Sequence, residues 1–140
     1  MTSLANDLAF GVGQEVNKHP FLECVFGEEL TRQTGFASMD YKGKTVYVEL
    51  KTRRIRHDQY PTALISASKV DFCEKSNADC YFVYQYTDGW FYIKYEKTLF
   101  ATFWTDKYTR TESPDMVARE KDTTFIPVKY LKTLPASFKA

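Results

Sequence analysis

From Ser3 to Val16 the apolar residues fall on one helix face. At about 100° per residue, Leu4, Ala5, Leu8, Ala9, Val12 and Val16 form a single stripe, and Ser3 is placed to cap the first turn. Gly11 and Gly13 each weaken such a helix by roughly 1 kcal/mol. Glu15 interrupts the stripe, its angle falling between those of Leu4 and Leu8. An unpaired carboxylate on a core-facing stripe is costly. Either a cation or metal lies beside Glu15, or the helix frays before it. The run "FLECVFGEEL" extends the helical layer past Pro20, to an end near Gly27 or Gly35.

The pattern then changes to period two. Gly35–Tyr41 and Thr45–Arg53 read as the arms of a β-hairpin, with Val46, Val48 and Leu50 facing a core and Tyr47, Glu49, Lys51 and Arg53 facing the other way. Gln59–Ser76 reads as a helix with Pro61 in its first turn. "DCYFVYQY" and "WFYIKYE" make a second hairpin around Asp88-Gly89. "KTLFATFW" predicts a short helix, "TRTESPDMVAREKD" a polar loop, and "TTFIPVKYL" a last strand that Pro127 assigns to an edge. Helix, strand pair, helix, strand pair and tail predict an α/β fold: one domain over residues 1–140, built on a mixed central sheet flanked by helices.

Composition narrows the class. The chain is 44% hydrophobic and 26% charged, ordinary for a soluble globular protein, and its net charge is only +1. Its distribution matters more than its sum. Between Lys42 and Arg56 six Lys or Arg face a single acid, Glu49, so one stripe of a near-neutral molecule is strongly basic. Such a stripe suits a polyanion docking on one face; a strand edge guarded against aggregation is the plainer explanation. Three cysteines, with no C-x-x-C, indicate reduced thiols, and no leader or membrane-length apolar run is visible. A soluble intracellular protein with no membrane partner is expected. No P-loop, H-E-x-x-H or G-x-S-x-G motif occurs. The two histidines, His19 and His57, are far apart in sequence, which argues against HNH, zinc-hydrolase and His-triad chemistry.

The chemistry concentrates on the first hairpin. Any tight turn that pairs an even position with an odd one puts Asp40 on the face of Glu49 and Lys51. A Lys42-Gly43 turn leaves Asp40 opposite Thr45, about 13 Å from Glu49. A Gly43-Lys44 turn of type II′ puts Asp40 opposite Tyr47, with Glu49 its diagonal neighbour at roughly 7–8 Å. The second register is the expected one, because two carboxylates that close can share one hard cation. Mg²⁺, with Mn²⁺ as substitute, takes such oxygen ligands together with phosphate, neutralises phosphate charge and acidifies water. Lys51 on the same face is placed to orient that water or to stabilise the transition state.

Asp40, followed after eight residues by Glu49-Leu50-Lys51, resembles the core motif of the PD-(D/E)-x-K nuclease superfamily. The small stand-alone members, archaeal-type Holliday-junction resolvases and phage or restriction endonucleases, are closest in size. Met39 stands where that motif has Pro. The resemblance implies metal ligation by Asp40, Glu49 and the Leu50 carbonyl, water activation by Lys51, and a metal-facing role for Glu15. It also implies an auxiliary substrate contact by Lys69. Arg53, Arg54 and Arg56 are read as holding the phosphate backbone. The function expected is metal-dependent hydrolysis of DNA phosphodiester bonds by a homodimeric endonuclease, one site per strand. Two alternatives remain open: an inactive nucleic-acid-binding module of the same fold, and a structural or interaction protein.

Overall fold

A computed structural model describes residues 18–34, 39–110 and 119–134. The helix expected over 3–16, Glu15 with it, and residues 35–38 of the first predicted strand lie outside the described residues. The fold is α/β, as expected from the sequence. Helix α1 (Lys18–Phe26) is followed by strands β1 (Thr31–Arg32), β2 (Tyr41–Lys42), β3 (Val46–Thr52) and β4 (Thr62–Ser66), then α2 (Ala67–Lys75). Strands β5 (Asp79–Tyr86) and β6 (Gly89–Lys94), helix α3 (Lys97–Phe100), β7 (Trp104–Arg110), β8 (Arg119–Pro127), a 3₁₀ turn (Val128–Tyr130) and β9 (Lys132–Thr133) complete the order.

Six strands form a mixed sheet in the order β1-β2-β3-β5-β6-β9, with β3 and β5 its parallel pair. Both faces of this sheet are covered, which is why β5 is buried almost without interruption from Cys80 to Tyr86. On one face α1 buries Phe21, Leu22, Val25 and Phe26; Phe21 meets Trp90 at 4.6 Å and Phe26 meets Tyr81 at 4.9 Å. Gly27, with φ 70°, ends this helix where the sequence placed a stop. On the other face, Phe82, Tyr84, Tyr86 and Ile93 pack with Cys73 of α2 and with Ala63, Ile65 and Ile126.

Those last three residues belong to a second, antiparallel sheet, β4-β8-β7, which the sequence reading merged into neighbouring elements. The helix expected over Gln59–Ser76 is β4 in its first half and α2 only from Ala67. Ala63 and Ile65 are buried and alternate with half-buried neighbours, and the segment pairs with β8 from Thr62↔Pro127 to Ser66↔Thr123. Long-range pairing here overrides local helical pattern. The polar segment expected to be a loop lends Thr109 and Arg110 to β7 and Arg119–Asp122 to β8. Strand β8 is central rather than at an edge; Pro127 is accommodated because it is the strand's last residue.

The first hairpin closes later than either register considered above, one step past the Gly43-Lys44 turn. Tyr41 pairs with Val48 and Lys42 with Tyr47, and the Gly43 N–H donates to the Val46 carbonyl at 2.8 Å, leaving Lys44-Thr45 as the turn. The cause lies outside the hairpin. The Glu28 carboxylate accepts the Thr45 N–H at 2.9 Å and the Thr45 hydroxyl at 2.7 Å. Gly43 serves close approach rather than a left-handed turn: a Cβ there would collide with Glu28 Oε1 and press Leu30 Cδ2. Gly43→Ala is therefore expected to cost about 1–3 kcal/mol of stability in urea unfolding. Lys44→Ala beside it should stay within about 0.5 kcal/mol.

Candidate active site

The observed register puts Asp40 directly across from Glu49, closer than the diagonal relation expected from the sequence. Strand β2 begins only at Tyr41, so among the described residues the edge of β3 beyond Val48 has no strand beside it on that side. Side chains take the place of ladder bonds. The Asp40 N–H donates to Glu49 Oε1 at 3.1 Å, and the Leu50 N–H donates to Asp40 Oδ2 at 2.9 Å. Each acid is thus held by backbone from the other's segment. In an extended strand the N–H and C=O of one residue point to the same edge, so the Leu50 carbonyl is directed to the Asp40 side as well.

Glu49 is 2% exposed. That rules out a solvated surface ion pair for it. Two ammonium groups meet it: Lys51 Nζ at 3.3 Å from Oε2 and Lys69 Nζ at 3.6 Å from Oε1. Lys51 reaches it from two residues along β3, on the same face. Lys69 comes from the first turn of α2, directly after β4. Burial pushes the Glu49 carboxyl upward, the charge of Asp40 adds to this, and Lys51 and Lys69 offset only part of it. Asp40, Glu49, Lys51, Lys69 and the Leu50 backbone form one constellation.

The donor set fits a hard divalent cation. Two carboxylates and one carbonyl supply oxygen only. A buried carboxylate beside a second acid gains most from an added positive charge. Glu15 lies outside the described residues.

The arginines divide. Arg53 leaves β3 with its N–H on the Gln85 carbonyl at 2.8 Å and its side chain half-buried; Arg54 is exposed. Arg56 is engaged by two acids, Asp58 at 3.4 Å and Asp88 at 3.5 Å. His57 stacks on Phe91 at 4.2 Å, donates its N–H to Asp88 Oδ1 at 2.9 Å, and holds Asp88 Oδ2 through Nδ1 at 2.6 Å. Burial raises the Asp88 carboxyl, but its hydrogen bonds to His57 outweigh this and leave it below the ordinary range. Ligand atoms of His57, Asp58 and Asp88 lie within 4.8 Å of one another. With Arg56 already between the acids, the group is an ion-pair knot that fastens the arginine loop to the β5–β6 turn.

Sequence reasoning missed Lys18 and Arg32. With Asp40, Tyr41, Leu50 and Thr52 they line a cavity of about 430 Å³ on the α1 side of the site. No local pattern marked them. Arg32 sits on a two-residue strand, and Lys18 on a turn of helix judged only for its apolar side.

The chain matches one family model, described as "Phage putative PDDEXK endonuclease", over residues 20–133. The match spans Asp40, Glu49, Lys51 and Lys69 and leaves out Glu15. No curated protein and no solved structure matches the chain.

A carboxyl whose pKa rises on folding holds its proton more tightly in the folded chain. Its stabilising contribution is full below its ordinary value of 4.5 and is lost as pH rises through the raised value. With divalent ions chelated, Glu49→Gln should therefore gain stability relative to the parent chain as pH increases from about 4 to about 8. Urea unfolding at each pH reads this, and a difference independent of pH contradicts it.

Proposed function

The chain belongs to the family of phage PDDEXK endonucleases, and on that premise we propose that it hydrolyses DNA phosphodiester bonds in a divalent-metal-dependent reaction at Asp40, Glu49 and Lys51. The observation that carries the reading is the interlocked pair of acids, Asp40 N–H on Glu49 and Leu50 N–H on Asp40, with two lysines on the buried Glu49. Nucleases of this family generally use divalent cations. Asp40, Glu49 and the Leu50 carbonyl would hold Mg²⁺, or Mn²⁺ in its place, which when bound supplies charge neutralisation at phosphate and acidifies water.

The chain's own residues do the rest. Asp40 and Glu49 hold four carboxylate oxygens in place before substrate arrives, so little reorganisation is needed at the moment of reaction. Lys51, ion-paired with Glu49, would orient the attacking water and meet negative charge as it develops on phosphate. Lys69 supplies a second positive charge to the same carboxylate, and its release from Glu49 frees it for a phosphate oxygen. Arg53 and Arg54, where the chain leaves β3, would contact the strand backbone. Residues 1–140 would act as one nuclease domain, and cutting both strands of a duplex calls for a homodimer.

Incubation with linear and branched DNAs tests the reading. Cleavage should require Mg²⁺ or Mn²⁺ and fall by at least about 10²-fold in Asp40→Ala, Glu49→Ala and Lys51→Ala. Mn²⁺ should also raise the thermal unfolding midpoint of the parent chain, but not of Glu49→Gln. Cleavage by Asp40→Ala at the parent rate would refute the assignment.

A further inference from the structure

The constellation has a second side. Lys51 and Lys69 face Glu49, whereas Asp40 and Leu50 also border the cavity of about 430 Å³ whose cationic walls are Lys18 and Arg32. Among the described residues Asp40 is the sole carboxylate in that lining. Arg32 is exposed and has no carboxylate partner among the described residues. Its charge is felt in the cavity, where it opposes the upward push of burial on the Tyr41 hydroxyl. Lys18 Nζ donates to Thr52 Oγ1 at 2.9 Å, which holds the ammonium over the cavity rim. His19, also in the lining, is committed elsewhere: Nε2 lies 2.5 Å from the Leu30 carbonyl and 3.5 Å from Glu23.

An independent observation lies behind the wall. Gln85 pairs with Thr52 across β3 and β5, is 1% exposed, and has its Oε1 3.5 Å from Thr52 Oγ1. Its Nε2 has no hydrogen-bond partner among the described residues. A buried amide donor left unmet is costly and calls for an acceptor. Two cations and a hydroxyl beside one carboxylate make a cup for an anionic, oxygen-rich group, and the unmet Gln85 amide lies behind its Thr52 wall. Asp40, which would also hold the metal, borders the cup through its carboxylate.

We infer that the Lys18–Arg32 cavity is a phosphate subsite, taking the backbone phosphate next to the one that is cut. The inference rests on the nuclease reading and deepens it. Lys51 and Lys69 serve the reacting phosphate from the Glu49 side, while Lys18 and Arg32 anchor its neighbour from the Asp40 side.

Binding of a labelled single-stranded oligonucleotide, measured in chelator so that nothing is cut, tests the subsite. The slope of log K against log salt should shrink by about one in Lys18→Gln and in Arg32→Gln, and be restored in Arg32→Lys. Inorganic phosphate should compete with the oligonucleotide more effectively in the parent chain than in the double variant. In cleavage, half-saturation should rise roughly tenfold per lost charge with kcat little changed. Unfolding midpoints of each variant establish that it is folded; Arg32 is exposed on an edge strand, so its replacement should leave them in place. Unchanged slopes in folded variants overturn the subsite and leave the nuclease reading standing. A parent chain that neither binds nor cuts DNA overturns both.

Discussion

Two backbone N–H groups govern this molecule. The N–H of Asp40 lies on the Glu49 carboxylate, and the N–H of Leu50 lies on the Asp40 carboxylate. They bring two like charges together at a place where, among the described residues, the strand ladder has stopped and its edge needs partners. Repulsion between the acids and the burial of Glu49 both oppose the arrangement, and the lifted Glu49 carboxyl records this. Charge-assisted hydrogen bonds to backbone, with Lys51 and Lys69 close by, offset the cost. A buried acid held this way is ready for a cation and unfavourable without one.

The surrounding architecture serves that placement. Glu28 fixes the turn at Lys44-Thr45, and the turn fixes Asp40 opposite Glu49. Because β3 and β5 run parallel, the chain must cross over between them. The crossover spends its residues on β4 and α2, which cover the Glu49 face and deliver Lys69. On the opposite face, α1 delivers Lys18 and the apolar residues that seat it. The acids thus sit between two covered faces, with Lys51 and Lys69 on Glu49 from one and Lys18 and Arg32 bordering the Asp40 cavity on the other.

Much of this was legible in the chain. Parity alone placed Asp40, Glu49 and Lys51 on one face, because period two is insensitive to which even-to-odd register a hairpin adopts. The register itself was not legible, since it depends on Glu28, a residue that precedes the turn by more than a dozen positions. Gly43 suggested a turn by its freedom of backbone, yet it is required for its lack of a side chain. Strand β4 was hidden because Ala63, Leu64 and Ile65 suit helix and strand alike, and the partner that decides between them is the distant β8. Arg56 reads as a phosphate contact from charge alone; its ion pair with Asp88, far along the chain, is visible only in space. Lys18 and Arg32 left no periodic trace, because only the tertiary fold brings them to one cavity.

The placement of Lys69 couples parts of the molecule with no chemistry in common. Ser66 closes β4 in the second sheet, and three residues later Lys69 reaches Glu49. A sheet that carries none of the acids thereby sets the reach of an ammonium group in the site. Slippage of β4 against β8 by two residues would preserve every inward-facing side chain of that sheet while displacing the lysine by about 7 Å. The small sheet acts as a gauge: it could be redecorated freely on its outer surface, but its length and register are bound to the position of one charge on the far side of the core.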